Sequence, residues 1–169
     1  MACGARLRAD QAWLRAAIAH YIEEEIGHEQ WILDDIANAG GNAAAVYASA
    51  PDGDTELMVA YAYDTVMRGN PVGLFGMVFV LEGTSVSLAS DIAALLQKQL
   101  DLPATAFSYL TSHGALDVEH LGDFERLVNK LDSTDQDCVL HCAKRFFHLY
   151  GNVLRGVDAQ ADDSGETQR

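Results

Sequence analysis

The stretch Asn-Pro-Val-Gly-Leu-Phe-Gly-Met-Val-Phe-Val-Leu-Glu-Gly-Thr-Ser, residues 70–85, decides the fold. Asparagine followed by proline is typical of a helix start, because the amide caps the first turn and the proline ring fits it. The β-branched and aromatic residues that follow would also suit a strand. Helical spacing nevertheless continues afterwards through Leu88, Ile92 and Leu95, so the pattern predicts a buried helix.

Three glycines and one acidic residue interrupt the apolar run of this predicted helix. Gly73 and Gly76 would permit close contact with a neighbouring helix, and Gly83 would mark a kink. Glu82 is the one charged residue of the run. A buried carboxylate is costly unless it is paired, protonated or bound to a metal. Glu82 is therefore a candidate functional residue, although an acid at this place can also mark the point where a helix reaches the surface.

The remaining segments also show helical periodicity, and none reads as a convincing strand. Residues 6–38 predict one long helix that stops at Gly40-Gly41, and residues 104–131 predict a second long helix. Residues 54–68 and 133–157 predict two more. The sequence thus predicts an all-α bundle of five to six helices in a single domain, residues 1–157, followed by a disordered polar tail at 158–169.

Composition excludes several function classes. Twenty-five acidic residues against 11 lysines and arginines give a formal charge of -14, which disfavours nucleic acids and anionic membrane surfaces as partners. No uninterrupted apolar run of about 18 residues predicts a membrane span, and no signal-peptide core follows the N-terminus. We therefore expect a cytoplasmic protein. Three cysteines do not suggest a disulfide framework, and Cys138 and Cys142 read as small packing residues.

Two other helices carry groups that can bind metal. His113, Asp117 and His120 are four and three residues apart, so a helix would place them within an arc of about 60°. That triplet alone is equally compatible with a solvated helix face. On the first long helix, either Glu25 or Glu24 can share a face with His28, although glutamate-rich helices are usually just solvated.

Together with Glu82 these groups make a set that would suit two divalent metals. Mixed carboxylate and imidazole ligands favour iron or manganese. Two such metals can bind and reduce dioxygen between them.

The chain resembles the heme-oxygenase-like di-iron oxidases, also described as iron-containing redox enzymes, which share their fold with heme oxygenase, thiaminase II and the PQQ-forming oxidase. The resemblance lies in Glu-Glu-Ile-Gly-His-Glu-Gln-Trp at 24–31, in the quoted stretch at 70–85, and in His-x3-Asp-x2-His at 113–120. It implies a heme-oxygenase-like bundle, shorter than usual at its N-terminus. The family's ligands fall on these residues: His28, Glu82, His113, Asp117 and His120.

The first family glutamate has no direct counterpart, because several members place it where this chain has Tyr21. Glu25 is the substitute, with Glu24 as the alternative. The resemblance implies two Fe(II) ions, with manganese as the alternative metal, activation of O2, a small organic substrate and a homodimer. Two other functions stay open: a metal-free enzyme like thiaminase II or the PQQ-forming oxidase, and a non-catalytic metal- or heme-binding protein.

Overall fold

The computed structural model describes the backbone of residues 1–166, with the side chains of 114–120 and 158–166 outside the description. This part of the chain contains eight α-helices, six of them with eleven residues or more, and no strand. The all-α prediction is confirmed, whereas the tail predicted at 158–169 lies outside the described side chains. The helices are α1 (Ala2–Arg6), α2 (Ala12–Glu25), α3 (His28–Asn38), α4 (Ala43–Tyr47), α5 (Gly53–Met67), α6 (Leu74–Leu100), α7 (Ser108–Val128) and α8 (Ser133–Glu166).

Helix α6 forms the centre of the bundle, packed between α7 and α8. Asn70 caps the 3-10 turn before it by accepting a hydrogen bond from the backbone of Val72. The predicted close approach at Gly76 is confirmed, because a Cβ there would lie 2.5 Å from the backbone nitrogen of Ala143 in α8. At Gly83, where the sequence predicts a kink, α6 continues as a helix without a break.

The same helix is long and apolar enough to cross a membrane by length and composition. The expectation from sequence was based on the absence of an uninterrupted apolar run of about 18 residues. The helix is nevertheless apolar over a longer range than the quoted stretch, because few charged residues interrupt it. In the bundle, 44% of its most apolar window is buried against other helices.

Helices α6 and α7 run antiparallel. The rings of Phe79 and Phe124 stack with centroids 5.4 Å apart, and further along α6 Ala93 packs with Phe107 just before α7. The part of α6 between Phe79 and Ala93, which contains Glu82, therefore faces the part of the chain between Phe107 and Phe124. Helix α7 begins at Ser108, because residues 104–107 form a 3-10 turn after Pro103 rather than the start of the α-helix expected there.

The single helix predicted over 6–38 is wrong, because the chain breaks at Gly27. This glycine has φ +96°, a left-handed conformation that few other residues adopt, and Ile26 before it is extended. Helix α2 therefore ends at Glu25 and α3 begins at His28. The apolar periodicity runs on across the break, which is why it concealed the turn.

Asp135 ties the N-terminal segment to the rest of the bundle. It is 2% exposed, and its carboxylate accepts hydrogen bonds from Gln11 at 2.5 Å, Asn70 at 2.7 Å and Arg8 at 3.1 Å. Burial alone would raise the pKa of Asp135, but the hydrogen bonds from Asn70, Arg8 and Gln11 outweigh it and lower the pKa below its ordinary value of 3.8. One buried carboxylate thus joins the N-terminus, the α5–α6 turn and α8.

Candidate metal centre

His113 is held in α7 by a hydrogen bond from one of its two ring nitrogens. Its Nδ1 lies 2.9 Å from the backbone carbonyl of Tyr109, one turn earlier, so Nδ1 carries the proton and donates it. The residue is 7% exposed, and among the described residues its Nε2 has no hydrogen-bond partner. A buried imidazole nitrogen with a lone pair and no partner is costly unless something binds it.

Asp35 of α3 fixes the start of α7 and therefore the position of His113. Its two carboxylate oxygens accept hydrogen bonds from the backbone N–H of Ser108 at 2.9 Å and of Tyr109 at 2.8 Å. The hydroxyl of Ser108 donates a third at 2.6 Å. An acid at this place satisfies the unpaired N–H groups of the first turn and complements the positive end of the helix dipole.

Glu25 and His28 meet across the break at Gly27. Because α2 ends at Glu25 and α3 begins at His28, the two side chains approach from different helices, and Glu25 Oε2 lies 3.1 Å from His28 Nδ1. The Glu-x-x-His pair expected within one helix therefore exists, but across a turn. Trp31 stacks on the His28 ring with centroids 4.3 Å apart, which holds the imidazole in place.

These two residues and His113 converge. The ring centroids of His28 and His113 are 4.7 Å apart. One ligand atom from each of Glu25, His28 and His113 lies within 4.8 Å of the other two. Two imidazoles and one carboxylate are the donor set of many non-heme Fe(II) oxygenases, so the residues present fit an iron ion. The unpartnered Nε2 of His113 is the observation that supports this fit.

Glu82 lies outside this three-residue cluster, but next to it. It is 5% exposed, and it lines one cavity together with Glu25 and His113. Glu24, the alternative first-helix ligand, instead faces His20, whose Nε2 is 3.3 Å from its carboxylate. The geometry therefore favours Glu25 over Glu24. Asp117 and His120 belong to α7, but their side chains lie outside the described residues, so their role as ligands stays a prediction.

Two cavities meet at Glu82, and the larger also reaches the cluster. The larger, of about 600 Å³, lies between α6, α7 and α8 and is lined by Glu25, Glu82 and His113 at the metal side. The smaller, of about 330 Å³, is bounded by α2, α6 and α7. Tyr21 and Glu82 line both, so these two side chains stand between the cavities. The larger volume is in the range of pockets that bind small organic molecules.

The two cysteines of α8 behave as the packing residues that the sequence predicted. Cys142 is buried, and its sulfur would lie 2.6 Å from a Cβ at Gly73, so the thiol fills the space that the glycine leaves. Burial, followed by the neighbouring Cys142, raises the pKa of Cys138 to about 11. A thiol with so high a pKa is a poor ligand and nucleophile near neutral pH.

Two residues that support the site were not singled out from the sequence: Trp31 and Asp35. Trp31 is three residues from the predicted ligand His28, so helical spacing could have indicated it. Nothing in the local sequence indicates Asp35, because its partners at Ser108 and Tyr109 are brought to it only by the tertiary fold.

Comparison with known proteins agrees with this architecture. A crystal structure of a domain of unknown function with a heme oxygenase-like fold from Shewanella denitrificans OS217 superposes with a TM-score of 0.84 at 24% identity, covering 95% of this chain and 70% of that one. The bundle therefore has the heme oxygenase-like fold. No curated protein matched. The model of the iron-containing redox enzyme family matches residues 1–151, and the chain therefore belongs to that family.

Proposed function

We propose that this protein is a non-heme iron oxidase or oxygenase that uses O2 to oxidise a small organic molecule. Glu25, His28 and His113 would hold one iron. Glu82, together with Asp117 and His120 of α7, would hold a second. The observation that carries the proposal is the buried Nε2 of His113, which has no partner among the described residues and lies in a cluster with a second imidazole and a carboxylate.

The protein's own groups determine the state of the ligands. The Tyr109 carbonyl keeps the proton of His113 on Nδ1, so the lone pair on Nε2 points away from that bond. Trp31 restricts rotation of the His28 ring. The carboxylate of Glu25 supplies negative charge that offsets part of a metal's charge. Iron bound in such a site supplies binding and reduction of dioxygen.

The larger cavity is the place for the substrate. Its walls are mostly apolar and include Leu81, Leu88, Ala89 and Leu110. A molecule seated against these walls would displace water, and exclusion of water strengthens electrostatic interactions within the site. A small molecule seated there would lie next to His113 and Glu82, which line the same space.

Metal analysis tests the proposal. The protein would be expressed with ample iron, purified without oxygen, and its iron content measured before an O2-consumption assay. We expect stoichiometric iron, loss of most of it in His113→Ala, and consumption of O2 that depends on the iron. His141→Ala is the matched control, because His141 is an exposed histidine of α8 outside the cluster.

Other outcomes would identify the other functions. Wild-type protein that holds no iron but loses activity in His113→Ala would indicate the metal-free enzyme. Stoichiometric iron with no consumption of O2 across a panel of small organic compounds would indicate a non-catalytic metal-binding protein. Stoichiometric binding of heme with a Soret shift would indicate a heme-binding protein, although a site rich in carboxylates suits heme iron poorly.

A further inference from the structure

The part of the larger cavity that α8 lines carries three basic residues. Lys144, His148 and Arg155 of α8 all line it. They are four and seven residues apart, so the helix places them within an arc of about 40°. The described acids of the lining, Glu25 and Glu82, both belong to the metal side. The acids of the lining thus come from α2 and α6, and the bases come from α8.

These bases have no carboxylate partner within the part of the chain that the structure describes. Arg155 donates a hydrogen bond only to the neutral amide of Asn152, at 2.6 Å, and Lys144 and His148 form no ion pair there. In a chain with 25 acids and 11 lysines and arginines, unpaired bases gathered at one cavity stand out. Bases so placed favour an anion from outside the chain.

Gly151 helps to place the arginine. This glycine also lines the cavity, and a Cβ there would lie 3.2 Å from Arg155 Nη1 and 3.3 Å from Nη2. The guanidinium therefore lies across the helix surface that Gly151 leaves bare, at the cavity wall. In this place it presents N–H donors in the planar arrangement that matches a carboxylate.

The surroundings of the bases are apolar and partly open to solvent. Leu88 and Ile92 of α6 and Phe147 and Leu154 of α8 line the cavity and are between 40% and 65% exposed. Charged groups set among exposed apolar side chains suit a molecule that has both an anionic group and an apolar body. A fully polar anion would leave this apolar surface in water.

We infer that the larger cavity binds an amphipathic organic anion, a carboxylate with an apolar body, whose charged group is held on α8 by Lys144 and Arg155. The apolar body lies along α6 and reaches toward His113. This names the substrate class of the proposed function and rests on it, because it takes this cavity as the substrate chamber. The carboxylates of Glu25 and Glu82 repel the anionic group, so the bases orient the molecule with its apolar end toward the metal side.

Calorimetric titration with three matched probes tests the inference: 4-phenylbutyrate, 4-phenyl-1-butanol and 4-phenylbutylammonium. They share one apolar body and differ in charge. We expect the acid to bind about tenfold more tightly than the alcohol, and the ammonium compound to bind least tightly. The preference should shrink in high salt, because the bases are exposed. Lys144→Gln/Arg155→Gln should abolish it.

The matched control is Lys98→Gln/Arg145→Gln, which removes the same charge from exposed positions that do not line the cavity. It should keep the preference for the acid within about twofold. Equal binding of acid and alcohol by the wild type, no binding of the acid at millimolar concentration, or a preference that survives Lys144→Gln/Arg155→Gln would overturn the inference. If the double variant fails to fold, the salt dependence of the wild type tests the inference. A preference for the acid that does not shrink in high salt would then overturn it.

Titrations of iron-free and iron-loaded protein separate this inference from the proposed function. A preference for the acid that depends on Lys144 and Arg155 in both forms supports the inference, whatever the iron content. A preference that appears only with iron and is unchanged in Lys144→Gln/Arg155→Gln would show that the anion binds the metal, and would overturn the inference while leaving the proposed function intact.

Discussion

Asp35 and Ser108 join the two helices that carry the histidines of the candidate site. The carboxylate of Asp35 in α3 accepts hydrogen bonds from both the backbone N–H and the hydroxyl of Ser108, the first residue of α7. His28 begins α3 and His113 follows in the second turn of α7. The distance between the two imidazoles therefore depends on this junction.

Asp35→Asn should weaken iron binding without removing a ligand. An amide can accept from only one side and would place its N–H groups against a backbone donor, so we expect a loss of about 2 kcal/mol in stability and roughly tenfold in iron affinity. Iron competition with a chelator and thermal denaturation measure the two effects. Asp34→Asn is the control, because Asp34 bonds only the exposed side chain of Gln30. Equal effects of both variants would contradict the prediction.

Gly27→Ala should disturb the pair formed by Glu25 and His28. The left-handed φ of Gly27 is strained for alanine, so we expect about 1–2 kcal/mol of destabilisation and weaker iron binding. Gly53→Ala is the control, since Gly53 has no left-handed φ and a Cβ there would meet nothing within 4 Å. Denaturant unfolding and iron titration compare the two. Unchanged iron affinity in Gly27→Ala would show that the turn does not set the ligand geometry.

If the proposed two-iron centre exists, Glu82→Gln should lower the number of bound irons from two to one per chain. The substitution keeps the shape of the side chain but removes the charge that the second metal requires, while Glu25, His28 and His113 are untouched. Elemental analysis of anaerobically loaded protein measures the ratio. Glu56→Gln, an exposed acid on α5, should keep both irons. Two irons retained in Glu82→Gln would remove Glu82 from the ligand set.

Two glycines of α6 should respond in opposite directions to alanine. At Gly76 the new Cβ would lie 2.5 Å from the Ala143 nitrogen and 2.7 Å from the Val139 carbonyl oxygen, both backbone atoms, so we expect a loss of about 2–3 kcal/mol. At Gly83 it would meet nothing within 4 Å, so we expect a gain of about 1 kcal/mol from helix propensity. Urea denaturation of both variants checks the contrast; destabilisation of equal size would contradict it.

Asp135 should make the fold sensitive to acid. Because its folded-state pKa is lowered, the carboxylate contributes stability above its ordinary pKa of 3.8, and the contribution is lost as the pH falls through the lower folded value. Asp135→Asn should therefore be about 2–3 kcal/mol less stable at pH 7, with the difference shrinking below about pH 4. Unfolding measured between pH 2.5 and about 7 for both proteins tests this. A difference independent of pH would contradict the sign.

The sequence predicted the helices because apolar periodicity reports which faces are buried. It also predicted the close approach at Gly76, where a small residue in an apolar helix has a physical purpose. The break at Gly27 was missed because the periodicity continues across it, whereas Gly83, where a Cβ would meet nothing within 4 Å, does not interrupt α6. Asp35 could not be found, since only the tertiary fold brings α3 to the start of α7.

The turn at Gly27 also bears on how the protein would acquire and lose its metal. Glu25 and His28 are held together by three consecutive peptide links, so this half of the centre can form as soon as one turn forms. His113 arrives only when α7 docks against α3. Iron bound first by Glu25 and His28 would then also bind His113, and so would link α7 to the first half of the chain. The rate of iron dissociation would therefore measure how often the contact between α3 and α7 opens.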